Sequence, residues 1–65
     1  MGYEKFMDAV RRRIAERGVK QTFLAEKVGM SPQNFSAKMR GVSRFTIDQI
    51  SQLMKVLDIP ADTLL

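Results

Sequence analysis

The chain has 65 residues, with eleven Lys or Arg side chains against seven Asp or Glu, and it contains neither Cys nor His. This length corresponds to one small domain, 1–65. Without Cys and His, disulfides, the usual zinc sites and catalysis by an imidazole or a thiolate are excluded. We expect no cofactor and no metal, and stability has to come from helix packing, a partner chain, or both.

The charge is distributed unevenly along the chain. Residues 1–45 carry ten basic and four acidic side chains, a net charge of +6, whereas residues 46–65 carry one and three, a net charge of −2. This asymmetry is consistent with a polyanion bound at one side, although a solvated basic surface explains the composition equally well. Because no segment has the length of a membrane span or the pattern of a signal peptide, we expect a cytoplasmic protein without membrane contact.

The predicted elements are helical, because apolar residues recur at three- and four-residue spacing and no segment alternates like a strand. The first helix spans about residues 3–17 and the second about 21–28, each followed by a glycine. The three arginines at 11–13 fall mainly off the apolar face and are predicted to be solvated. Lys20 stands at the N-cap of the second helix, where a cation is mildly unfavourable unless an anion also binds.

The third and fourth helices begin with clear capping signals. Ser31 is the predicted N-cap of the third helix, with Pro32 in its first position. Thr46 caps the fourth helix and Gln49 completes a capping box. A last helical turn is predicted over about 61–65, so the predicted fold is an all-α, compact bundle of five short helices.

The apolar faces of these helices define the predicted core. The inner stripe of the fourth helix is predicted to begin at Ile47. The residues expected in the core are Val10, Ile14, Leu24, Ala25, Val28, Phe35, Met39, Ile50, Leu53 and Leu57.

The segment 21–41 has the pattern of a helix-turn-helix. Two helices that cross steeply need a small residue at the crossing, which Ala25 provides. The short turn between them needs an unusual backbone conformation, which Gly29 provides. Phe35 is the apolar residue that anchors the second helix of the motif to the first.

On these residues the chain resembles the lambda-repressor and Cro-like helix-turn-helix family, also called the xenobiotic-response-element type. The resemblance extends from about residue 10 to residue 65, and its later part is similar to small phage and Firmicute regulators. It implies sequence-specific binding of double-stranded DNA, usually as a homodimer and usually to repress transcription. In one departure, Ile14 and Met39 stand where many members carry a paired Arg and Glu, and such a joint replacement costs little.

The resemblance places the third helix in the major groove, with its N-terminal part near the bases. Because Phe35 faces the core, a step of about 100° per residue directs the opposite side of this helix outward. Gln33 is the predicted main base reader, since a Gln amide can bond an adenine in bidentate fashion. Pro32 stands where relatives often carry a base-contacting side chain. The predicted base contacts are Gln33, Ser36, Ala37 and Asn34.

Phosphate contacts are expected around this helix, and a dimer contact is expected at the acidic end of the chain. A solvated basic surface is the alternative for the cations, and packing within one chain is the alternative for the apolar end. The predicted phosphate contacts are Gln21, Ser31, Lys38, Arg40, Ser43 and Arg44. The predicted dimer residues are Ile59, Leu64 and Leu65.

Two other classes of function are weighed against a DNA-binding regulator. An antitoxin or anti-repressor would use the same fold to bind a protein through the acidic end. A hydrolase would need paired carboxylates, but Glu4 and Asp8 have the positions of ordinary helix-dipole partners. We therefore expect that the chain is not an enzyme.

Overall fold

The structure is a computed structural model that describes residues 2–60 and 62. These residues form four helices and no strand: α1 Gly2–Arg17, α2 Gln21–Lys27, α3 Pro32–Met39 and α4 Ile47–Leu57. The predicted all-α class is confirmed. The fifth helix predicted over 61–65 lies outside the described residues apart from Asp62, so the described part of the chain has four helices rather than five. None of these four helices is long and apolar enough to cross a bilayer.

Capping residues set the helix boundaries, as their sequence positions predict. Ser31 Oγ accepts a hydrogen bond from the Asn34 N–H at 3.2 Å. Thr46 Oγ1 accepts one from the Gln49 N–H at 3.2 Å, and Gln49 Oε1 accepts the Thr46 N–H at 2.9 Å. Both predicted caps are confirmed, including the capping box that starts α4. The first three helices are each followed by a glycine with positive φ: Gly18, Gly29 and Gly41.

The core lies between α4 and the pair α1 and α2, and α3 packs on α2. Each large apolar side chain buried there contributes about 1.5–3 kcal/mol. Most of the predicted core is confirmed, whereas Ile14 and Ile50 are half-buried and pack against it. The largest fully buried side chains are Phe6, Val10, Leu24, Phe35, Leu53 and Leu57.

The prediction for Ile47 is wrong, because its side chain is 81% exposed. Ile47 is the first residue of α4. A helical side chain leans back over the turn that precedes it, and at the first position there is no such helical turn to cover. The buried stripe of α4 therefore begins after Ile47.

Among the described residues, the core also contains five apolar side chains that are not in the predicted core list. Ile59 is among them because the chain reverses at Asp58, which has φ +60° and ends α4. The Ile59 N–H then bonds the Met54 carbonyl at 2.9 Å, and this turn places the Ile59 side chain inside the molecule. The additional core residues are Phe6, Met7, Ala9, Phe45 and Ile59.

Candidate nucleic-acid interface

The turn between α2 and α3 has the geometry expected of a helix-turn-helix. Gly29 has φ +72°, a conformation that costs a residue with a Cβ about 1–2 kcal/mol. The Met30 N–H bonds the Ala25 carbonyl at 2.8 Å and the Gly29 N–H bonds the Glu26 carbonyl at 3.2 Å, so these two carbonyls near the end of α2 are satisfied. Ala25 is 1% exposed beneath this turn. The small residue and the glycine therefore have the positions predicted for them.

The start of α3 retains one backbone donor for a ligand. Pro32 has no N–H, the Asn34 N–H is used by Ser31 Oγ, and the Phe35 N–H bonds the Ser31 carbonyl at 3.0 Å. Among residues 32–35 of the helix itself, the Gln33 N–H is left without a hydrogen-bond partner inside the chain. A helix N-terminus with a free donor favours an anion through its dipole. The anion site expected after Ser31 thus reduces to this one donor.

The outward side of α3 is opposite its buried anchors. Phe35 is fully buried and Met39 is 8% exposed, whereas Gln33 and Arg40 are exposed. Arg40 Nη1 donates to Ser36 Oγ at 2.8 Å, so that the guanidinium lies along the helix surface. We call the predicted outward set the α3 face, and it consists of Gln33, Ser36, Ala37 and Arg40. In the structure Ser36 and Ala37 are half-buried, and Asn34 is exposed beside them.

Lys38 is directed toward the segment that joins α3 to α4, which we call the 40–46 loop. Its Nζ donates to the Arg44 carbonyl at 2.6 Å and lies 6.0 Å from the centroid of the Phe45 ring. The phosphate contact of Lys38 stays a prediction, and in the structure its side chain already donates to a backbone carbonyl of the loop. Ser43 and Arg44 are exposed on the same loop.

Tyr3 of α1 contacts the 40–46 loop, a contact that the sequence did not reveal. The Phe45 N–H donates to the Tyr3 hydroxyl oxygen at 3.1 Å. Arg44 Cζ lies 4.6 Å from the centroid of the Tyr3 ring. The Phe45 ring packs on Phe35 with centroids 5.4 Å apart. The loop is therefore held between α1 and the anchor of α3.

Arg11 joins α1 to the end of α3, although it was predicted to be solvated. Its Nη2 donates to the Met39 carbonyl at 3.1 Å, and its Nη1 lies 3.6 Å from Asp8 Oδ1. The side chain is half exposed, in agreement with the prediction, and its bond to Met39 is an additional contact that the sequence did not reveal. A cation beside the last carbonyl of a helix is favourable for the helix dipole.

The start of α2 has no side-chain cap. Lys20 is its N-cap residue, with extended backbone and no hydrogen bond from its side chain to the helix. Lys20, Gln21 and the next two residues are exposed. Gln21 is therefore accessible at the positive end of the α2 dipole, where its phosphate contact was predicted.

Of the three residues predicted to form a dimer, the structure describes only Ile59. Ile59 is 6% exposed within one chain, so little of its side chain is left for a partner. Leu64 and Leu65 lie outside the described residues. Elsewhere in the described part of the chain, three large apolar side chains are instead exposed: Phe23 at 46%, Val42 at 72% and Ile47 at 81%. No prediction was made for Val42 from the sequence.

The comparisons with known proteins agree with this geometry. The family model described as the Cro/C1-type HTH DNA-binding domain matches residues 9–65. Neither the curated proteins nor the solved structures gave a match. The family match covers the turn, the α3 face and the 40–46 loop, and it names a class of DNA-binding domains rather than a class of enzymes. The chain therefore belongs to the Cro/C1-type helix-turn-helix family of DNA-binding domains.

Proposed function

We propose that this chain is a sequence-specific regulator of transcription, acting as a repressor, that reads the major groove of double-stranded DNA with α3. One observation carries the proposal: α3 has one buried side, around Phe35, and one accessible side that includes Gln33 and Arg40. We further propose that it belongs with the small phage and Firmicute regulators. It would act where the DNA is, in the cytoplasm of a bacterium.

Gln33 is the proposed main base reader. It is exposed in the first turn of α3, and its amide offers a donor and an acceptor to the N7 and N6 positions of adenine. Ser36 lies one turn further along and accepts a hydrogen bond from Arg40, which leaves its own hydroxyl proton available to a base. The Ala37 methyl group can contact a thymine methyl group, and Asn34 is the additional candidate at the edge of this surface.

The proposed phosphate contacts surround the α3 face. Gln21 is exposed at the start of α2, and the Gln33 N–H beside Ser31 is a free donor at the start of α3. At the other end of α3, Arg44 and Ser43 are exposed next to each other on the 40–46 loop. The proposed set is Gln21, Ser31, Lys38, Arg40, Ser43 and Arg44. Each phosphate that a cation neutralises makes the affinity more dependent on salt.

We propose that the chain binds its operator as a homodimer. Each copy has one α3 and can therefore occupy one major groove. Two copies related by a two-fold axis can place an α3 in each of two successive grooves, which are about 34 Å apart on one side of a duplex. The end of the acidic segment 46–65 is the proposed contact, with Leu64 and Leu65 as the residues to test, because Ile59 is buried within one chain.

Selection of bound duplexes from a random library tests these proposals together. The expected result is enrichment of a two-fold symmetric site whose half-sites lie about 10–10.5 base pairs apart, centre to centre. Enrichment of a single half-site would contradict the homodimer but leave base reading intact. If the bound pool remained as random as the starting library, sequence-specific recognition would be excluded.

A further inference from the structure

We propose that Tyr3 of α1 is a positioning residue for DNA binding, which holds Arg44 ready to contact a phosphate. The inference rests on the proposed function and extends it to a residue outside both the helix-turn-helix segment 21–41 and the 40–46 loop.

Tyr3 holds two adjacent residues of the loop with two different parts of its side chain. The hydroxyl oxygen accepts the Phe45 N–H at 3.1 Å. The ring face lies beneath the Arg44 guanidinium, with Cζ 4.6 Å from the ring centroid. This distance is within the range of about 6 Å in which a cation and an aromatic ring attract each other. One side chain thus fixes the loop backbone and the direction of its arginine.

The loop is also held from α3. Lys38 Nζ donates to the Arg44 carbonyl at 2.6 Å. The backbone of Arg44 is therefore restrained by Lys38 while its guanidinium is restrained by Tyr3. Tyr3 is itself anchored, because its ring lies 6.1 Å from that of Phe6, which is fully buried. The position of Arg44 is in this way connected to the core.

Stacking leaves the arginine free to bind an anion. A guanidinium over a ring can stack through its flat face, which leaves its in-plane N–H donors available to a phosphate. A side chain that is already ordered also loses less conformational freedom when it binds. Tyr3 therefore favours phosphate binding by Arg44 without contacting the phosphate.

Two acidic side chains lie near Arg44 but do not pair with it. Glu4 and Asp8 line the same cleft as Tyr3 and Arg44. Within the described part of the chain, however, Asp8 pairs with Arg11 and Asp58 pairs with Arg17, and no carboxylate pairs with Arg44. An arginine held by a carboxylate would have its charge neutralised, whereas one held by an aromatic ring keeps its charge for DNA.

A double-mutant cycle with Tyr3→Leu and Arg44→Ala, measured on the duplex selected above, tests the inference. Tyr3→Leu alone is expected to weaken binding about 2- to 5-fold, the size of an exposed cation–aromatic contact. It is also expected to lower the slope of log K against log salt by up to about one unit. In the Arg44→Ala background, Tyr3→Leu is expected to change neither quantity. Tyr3→Phe keeps the ring and is expected to retain the salt slope.

Phe23→Leu is the matched control, because it removes a second exposed cation–aromatic contact, with Lys27 Nζ 5.2 Å from the Phe23 centroid. Thermal melts by circular dichroism establish that each variant is folded. If Tyr3→Leu is not folded, Tyr3→Phe still tests the role of the ring, because a lower salt slope for Tyr3→Phe would overturn the inference. Equal losses for Tyr3→Leu with and without Arg44 would overturn the inference and leave the proposed function intact. If the unmodified chain bound no duplex, the proposed function would fail first and this inference with it.

Discussion

Arg11 Nη2 donates to the carbonyl of Met39 at 3.1 Å, across 28 residues of sequence. Met39 is the last residue of α3, so this bond fixes the end of the helix proposed to read DNA. In many members of the family, α1 and α3 are joined by an Arg–Glu pair at the positions of Ile14 and Met39. Here those two side chains are apolar, Met39 in the core and Ile14 against it. The polar connection is made instead from Arg11 to a backbone oxygen.

Arg11→Ala is expected to lower the free energy of unfolding by about 1 kcal/mol, because the Met39 carbonyl loses a charged donor. Because the Arg11 side chain is half exposed, the expected loss of unfolding free energy is smaller than for a buried hydrogen bond from a charged donor. Urea unfolding followed by circular dichroism measures it. Arg12→Ala is the matched control, since it is the same exposed substitution on α1 and is expected to cost little. A loss for Arg12→Ala as large as that for Arg11→Ala would exclude a specific role for the Met39 bond.

Gly29→Ala is expected to destabilise the fold by about 1 kcal/mol, because Gly29 has φ +72°. No atom lies within 4 Å of the position that a Cβ would occupy, so the cost comes from the backbone conformation alone. Gly29→Asn is expected to cost less, since Asn tolerates this conformation better. Thermal unfolding compares the two variants, and equal losses for Ala and Asn would argue that another effect of the side chain dominates.

Local signals were sufficient to predict the helices and the turn. The cap at Ser31 and the backbone at Gly29 depend on neighbours three to five residues away, and both have the predicted geometry. Phe35 could be placed in the core because helical spacing determines which side of α3 faces inward. The α3 face followed from the same spacing.

Long-range contacts could not be predicted in the same way. The Tyr3–Phe45 hydrogen bond spans 42 residues, and no local pattern connects a tyrosine in the first turn of a helix to a loop amide. Ile47 was placed on the inner stripe of the fourth helix because it has helical spacing with later apolar residues. Its exposure follows from its place as the first residue of α4, where no preceding helical turn lies beneath the side chain.

Arg44→Ala is expected to weaken binding to specific and random duplexes by a similar factor, because a phosphate contact carries no sequence information. The slope of log K against log salt is expected to fall by about 0.9. Fluorescence anisotropy over a series of salt concentrations measures both quantities. Lys55→Ala removes an exposed cation from α4, in the acidic segment, and should leave the slope unchanged. An unaltered slope for Arg44→Ala would remove Arg44 from the set of phosphate contacts.

Gln33→Ala is expected to reduce the preference for the selected operator over random DNA, at a cost of about 1–3 kcal/mol on the correct site. The reason is that an adenine edge would lose a bidentate partner, while the phosphate contacts that support random binding would remain. Binding to both duplexes at one fixed salt concentration gives the comparison. Gln52→Ala makes the same change on the exposed surface of α4 and should alter neither affinity. If Gln33→Ala weakened both duplexes equally, Gln33 would be a positioning contact, and base reading would have to be assigned to Ser36, Ala37 or Asn34.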